Sequence, residues 1–265
     1  MFASPGPIAI QIGPLSIRWY GLFTAVALVV ALWLLDRQSR VEGLRTENVI
    51  GAAGWAAVSG YIGARLFEVA FSWSYYSRHL AKIPAVWEGG LAIHGGLIVG
   101  GIVGAMVARR RGLPVLRTLD LVAPAGALAQ AIGRWGNFFS EEAFGAPTDL
   151  PWGLYISPER RPLVYKGVES FHPTFLYESL WDLAIFAALA CWLRPRWHDR
   201  PGGLFFWYIG LYSVGRFTIE ALRLDSDWLG PFRVAQLASV AGILFAMGGL
   251  VWVSRQPSRP PSTSS

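Results

Sequence analysis

Residues 118–138 read TLDLVAPAGALAQAIGRWGNF. The stretch is apolar nearly all round and rich in Gly and Ala, and at about 1.5 Å per residue it is long enough to cross about 30 Å of hydrocarbon as a helix. A strand crossing a bilayer would alternate in polarity; this one does not. Arg134 lies about 24 Å into the stretch, where an ionisable group is costly unless paired or hydrated. One segment therefore predicts both a membrane helix and a polar site inside it.

The rest of the chain agrees. Of 265 residues 53% are hydrophobic and only 15% charged, with 14% aromatic including 13 Trp, and the mean hydropathy is +0.39. So thin a polar coat excludes a purely water-facing fold and excludes disorder for most of the chain. A net charge of +6 fits nucleic acid or an anionic membrane surface; the hydropathy selects the membrane, with no nucleic acid. The lone Cys191 allows no internal disulfide, and no secretory signal with a cleavage site opens the chain. Six further stretches resemble 118–138: Ile17–Leu35, Val49–Phe71, Leu91–Ala108, Thr174–Leu193, Gly203–Leu222 and Arg233–Val253. The expected fold is an all-α polytopic membrane protein. Seven transmembrane helices form a single domain over residues 1–255, with a small folded extracytoplasmic arm at about 140–173 and a disordered tail at 256–265.

Lys and Arg set the orientation. Twelve fall in the loops on one side, including Arg109, Arg110 and Arg111, and eight on the other, including Arg223 and Arg233. The first side is predicted to be cytoplasmic, which puts the N-terminus outside and the C-terminus inside. Arg134 and Arg216, about 20 Å along the sixth span, then fall in the outer part of the membrane, as do Tyr20, His94, His172, Tyr177 and Glu178.

Helical spacing sharpens this. Tyr212, Arg216, Glu220 and Arg223 project within about 80° of one another, a polar stripe on an apolar helix. Tyr61, Arg65 and Glu68 form a second, in which Arg65 and Glu68 at i,i+3 can pair, a helix-packing role rather than a site. Asp120 reads as a cap or packing contact near the inner end, and Asp182 as the partner of a group on another helix. Two arginines on different helices suit an anionic lipid headgroup, because guanidinium binds phosphate through two parallel N–H bonds. Depth favours a lipid-handling enzyme or a non-catalytic anionic-lipid binder over a seven-helix transporter, whose site would lie nearer the midplane, and leaves enzyme and binder both open.

Six short strings carry more. Arg18-Trp19-Tyr20-Gly21 opens the first span and His94-Gly95-Gly96-Leu97-Ile98 the third. Gly133-Arg134-Trp135-Gly136-Asn137-Phe138 closes the fourth, followed by Glu142 and Gly145. Gly215-Arg216-Phe217 with Glu220 and Arg223 lies in the sixth, after His172-Pro173-Thr174 and Leu176-Tyr177-Glu178 at the start of the fifth. In this order the chain resembles the prolipoprotein diacylglyceryl transferases of the bacterial inner membrane, over about residues 8–253. The resemblance implies transfer of the diacylglyceryl group from phosphatidylglycerol to the lipobox cysteine of a prolipoprotein signal peptide, giving a thioether and glycerol 1-phosphate. Phosphatidylglycerol, lipobox peptides and membrane lipids are the implied partners. It implies no metal and no cofactor, and it leaves the oligomeric state open, a monomer being compatible.

By the same resemblance Arg134 is the phospholipid-binding arginine and Arg216 the second. Tyr20, His94, Asn137, Glu142, Tyr212 and Glu220 join the catalytic set, and Gly95, Gly96 and Gly145 join Tyr20 and His94 along the lipid. Ser140 stands where the family usually has Asn. A thiol with a pKa near 8.5 needs a base or a nearby cation to become the nucleophile. His94 is the candidate base, with a purely orienting role as its alternative. Unbroken helical periodicity would bring Glu141, not Glu142, onto the side of Arg134; a turn after Asn137 and the resemblance both favour Glu142.

Overall fold

The computed structural model describes residues 1–86 and 89–256. The predicted tail therefore lies outside the described residues except for Gln256. Long helices cover the apolar stretches: α1 (Trp19–Val41), α2 (Thr46–Phe71), α3 (Ile93–Arg110), α4 (Val115–Ser140), α5 (Thr174–Ala187), α6 (Gly203–Glu220) and α7 (Val234–Ser254). The fifth continues through a wider turn at Ala188–Leu193 into Arg194–Trp197. By length and composition four helical stretches among the described residues are fit to cross a membrane, namely α1, α4, Thr174–Trp197 and α7. Leu244, Phe245 and Met247 of α7 are exposed, as expected of a helix whose surroundings are as apolar as its side chains.

The chain forms two compact units, one of residues 1–34 with those from 119 onward, the other Leu35–Thr118. In the second unit α2 and α3 meet along small residues. A Cβ on Gly100 would stand 2.7 Å from the Ala56 carbonyl oxygen, and one on Gly95 2.6 Å from that of Gly63. Such approach is how helices gain contact where lipid removes the hydrophobic drive between them. Gly101, one residue on, has open space around it. Gly100→Leu is expected to destabilise by about 1–3 kcal/mol through overpacking, a Tm loss of about 3–10 °C, while Gly101→Leu leaves Tm unchanged in thermal unfolding.

Arg65 does not form the expected i,i+3 pair. Its five N–H donors reach the carbonyls of Lys82, Ile83, Ala85, Gly89 and Gly90 at 2.6–3.2 Å, and its guanidinium lies over the Tyr76 ring at 5.1 Å. Glu68 accepts instead from the Ser72 hydroxyl, 3.1 Å away. Backbone carbonyls from residues 82–90 outcompete a neighbouring carboxylate here, because each satisfied buried acceptor avoids a desolvation cost.

In the first unit Ala123, Ala127, Ile185, Leu189, Leu193 and Leu204 form the core between α4, the fifth helical stretch and α6. Asp120 is a cap, as expected: its carboxylate accepts from the Gly202 N–H at 2.7 Å and the Phe205 N–H at 2.9 Å, at the positive end of α6. The segment between α4 and α5 is folded. β4 (Leu154–Tyr155) lies between β1 (Phe2–Ala3), parallel to it, and β5 (Ser170–Phe171), antiparallel. Leu154, Ile156, Phe171 and Phe175 make its core. Two hairpins complete the unit, β2 (Ile8–Ile12) with β3 (Leu15–Arg18), and β6 (Trp228–Leu229) with β7 (Phe232–Arg233).

Candidate functional site

Glu178, in the second turn of α5, is only 4% exposed and gathers three arginines from elsewhere in the first unit. Its Oε2 lies 2.9 Å from Arg134 Nη1 on α4. Its Oε1 lies 2.7 Å from Arg216 Nη1 on α6 and 3.2 Å from Arg223 Nη1 just beyond that helix. Arg216 Nη2 also reaches Glu220 Oε2 at 2.7 Å, an i,i+4 pair within the polar stripe. Arg223 continues the network to Asp225, at 2.6 and 2.8 Å. Burial pushes the Asp225 carboxyl up, but the hydrogen bonds and charge of Arg223 outweigh it and hold the group below the usual carboxylate range.

The arrangement is half open. Arg134 and Arg216 meet the buried carboxylates yet are 21% and 22% exposed in their side chains. Three cations held on one buried anion are preorganised: they need no rearrangement of solvent to meet a second anion. Local packing explains the positions. Gly215 has no room for a Cβ because the Trp181 indole lies on it, and that indole donates to the Leu211 carbonyl at 2.9 Å. Ser179 donates to the Ala131 carbonyl at 2.8 Å, and Tyr208 to Gln130 at 2.6 Å.

Asp182, 2% exposed, lines a small pocket with Arg134, Glu178, Tyr212 and Arg216. Asp182 Oδ2 has no hydrogen-bond partner there. Beside the cluster an open cavity of about 440 Å³ is lined by Asn137, Glu141, Glu142, Arg160, Arg223 and Asp225, with Phe144 and Leu224 among its apolar walls.

The turn that carries Glu142 differs from the expected one. Helix α4 runs on to Ser140, three residues past Asn137. The chain then leaves it through two left-handed residues, Glu141 at φ 50° and Ala143 at φ 57°. Non-glycine residues hold that conformation only where their surroundings enforce it. Glu141 is fixed by the Ser157 N–H and hydroxyl, and the Ala143 carbonyl accepts from the buried Thr174 hydroxyl. Glu141 is thus a clamp as well as a wall, which leaves the exposed Glu142 the freer carboxylate of the cavity.

Gly145 serves close approach. Its N–H donates to the His172 carbonyl at 2.9 Å, and a Cβ would stand 2.8 Å from His172 Cβ and 2.9 Å from the Leu222 carbonyl oxygen. Tyr20, exposed at the start of α1, packs on Gly136, the residue before Asn137.

Arg134, Arg216, Tyr212 and Glu220 therefore come together, Asn137 and Glu142 line the adjoining cavity, and Gly145 and Tyr20 border these groups. His94, Gly95 and Gly96 belong to the other unit. His94 is the exposed second residue of α3, while Gly95 and Gly96 face α2, against Phe67 and Gly63 and against Gly60. Sequence reading missed Glu178 as the hub. Its signal was the Leu176-Tyr177-Glu178 string together with its depth, but spacing along one helix cannot reveal that three arginines from other elements share it.

The chain matches the family described as prolipoprotein diacylglyceryl transferase over residues 7–252. It is similar to phosphatidylglycerol–prolipoprotein diacylglyceryl transferases of three organisms. It is 47% identical to that of Synechococcus elongatus over 257 residues, 95% of this chain and 89% of the relative. For that of Trichormus variabilis the identity is 44% over 257 residues, 96% and 91% of the two chains. For that of Parasynechococcus marenigrum it is 42% over 277 residues, the full length of both. By the extent of these matches the chain belongs to the prolipoprotein diacylglyceryl transferase family.

Proposed function

We propose that this protein transfers the diacylglyceryl group of phosphatidylglycerol to the lipobox cysteine of prolipoproteins. The observation that carries the reading is the cluster of Arg134, Arg216 and Arg223 on buried Glu178, with Arg134 and Arg216 partly exposed and Arg223 lining an open cavity, in a chain of this family. Family membership weighs against the transporter and against a non-catalytic lipid binder.

The thiolate sulfur attacks the glycerol carbon bonded to the phosphate oxygen. That carbon–oxygen bond breaks, its electron pair stays on the phosphate, and the products are a thioether and glycerol 1-phosphate. Arg134 and Arg216 hold the phosphate and stabilise the charge that grows on its departing oxygen, an interaction stronger in the transition state than in the diester. His94 takes the thiol proton. Asn137, Glu142 and Tyr20 orient the headgroup, Tyr212 and Glu220 hold Arg216 in place, and Gly145 lets the backbone approach. Gly95 and Gly96 let α3 pack closely enough on α2 to fix His94.

All seven helices cross the bacterial inner membrane as one domain, with the N-terminus outside, the C-terminus in the cytoplasm and the reaction at the outer leaflet. The count of twelve basic residues against eight supports that orientation. The folded segment at about 140–173 then lies on the extracytoplasmic surface as an arm over the site. Purified protein, phosphatidylglycerol and a lipobox peptide test the reading. A mass gain of one diacylglyceryl group on the peptide, absent from its Cys→Ser version, supports it; intact protein and substrates without product refute it.

A further inference from the structure

We propose that Arg233 is a positioning residue for the arginine cluster, acting through the turn that carries Arg223 and Asp225. The inference rests on the reading of that cluster as the phospholipid headgroup site. Charge counting assigns Arg233 to membrane orientation, yet its guanidinium is folded inward. Nη1 donates to the carbonyls of Glu220 and Arg223, the latter at 3.1 Å, and lies 3.1 Å from the Ser226 hydroxyl. The guanidinium carbon sits 5.0 Å from the centre of the Trp228 ring, and the Asp227 carbonyl accepts from the Val234 N–H at 2.9 Å, closing the hairpin behind it.

The chemistry of a helix end explains the contact. The last carbonyls of α6 carry its partial negative charge, so a cation that donates to that of Glu220, which also accepts from the Arg223 N–H, partly neutralises the helix end. Helix α6 ends at Glu220, and only a short turn separates it from Arg223 and Asp225. Both of these residues line the open cavity, and Arg223 also completes the set on Glu178. Arg233 grips that turn at its first carbonyl, its fourth residue and its seventh. Without this grip the turn keeps its sequence and charge but loses its fixed geometry.

Arg233→Ala is expected to raise KM for phosphatidylglycerol about tenfold with kcat within about twofold, because substrate loses a preorganised contact while the reacting atoms keep theirs. Because Arg233 acts through Arg223, the same substitution in an Arg223→Ala background should change KM by less than about twofold. An unchanged KM in Arg233→Ala, or effects of the two substitutions that multiply in full, would overturn the assignment. Should Arg233→Ala fail to accumulate, Trp228→Ala removes only the stacking support. It should raise KM about threefold with the same dependence on Arg223, and its failure to do so overturns the assignment equally.

Affinity for short-chain phosphatidylglycerol, measured on the same proteins, separates this inference from the transfer reaction. Wild-type protein that binds the lipid but transfers nothing contradicts the proposed function, while the Arg233 effect is still read in the affinity. Wild-type protein that does neither overturns both.

Discussion

Arg134→Lys should lower kcat/KM for diacylglyceryl transfer by about 10²–10³-fold in a protein that folds normally. Lysine keeps the charge and can still reach Glu178, which Arg134 meets through Nη1 at 2.9 Å. What it lacks is the planar fork, which holds a carboxylate at one edge and offers parallel donors to a phosphate at another. If Arg134 served only to pair with Glu178, lysine would substitute well. Transfer near the wild-type rate by the Lys variant would therefore reduce Arg134 to a helix-packing residue.

Glu178→Gln should be the most destabilising change among the polar groups of the cluster. Arg216 keeps Glu220 and Arg223 keeps Asp225, but Glu178 is the carboxylate that meets Arg134. Removing one partner of a largely buried ion pair leaves the other charge uncompensated, at about 3 kcal/mol or somewhat more, which corresponds to a Tm lower by about 6–12 °C. Glu142→Gln, in an exposed turn of the open cavity, should leave Tm unchanged while reducing transfer. Thermal unfolding of the two variants side by side checks the contrast; equal melting temperatures would remove Glu178 from the centre of the account.

Features confined to one helix were open to sequence reading. The polar stripe placed Arg216 and Glu220 on one face at four-residue spacing, and the two do pair. Depth left Asp120 as a cap or a packing contact, and could not name the helix it caps, which begins 83 residues later at Gly203. Partners between helices were not accessible, because periodicity fixes which face a side chain occupies but not which element packs there. Arg134 accordingly pairs with Glu178 and not with Glu142 or Glu220, and Arg65 serves loop carbonyls in place of Glu68. The left-handed turn at Glu141 and Ala143 was hidden for another reason: neither residue is the glycine that announces such a turn. Its cause lies in Ser157 and Thr174, which reach it from far along the chain.

The oxygen that bridges the diacylglycerol carbon and phosphorus reports which bond breaks. Purified protein is given phosphatidylglycerol labelled there with heavy oxygen, together with a lipobox peptide. If the arginine cluster receives a departing phosphate while sulfur takes the carbon, all the label appears in glycerol 1-phosphate. That product forms in equal amount to an unlabelled thioether peptide, and Arg134→Lys suppresses both together. Label carried into the peptide, or glycerol phosphate released without the thioether, would contradict it.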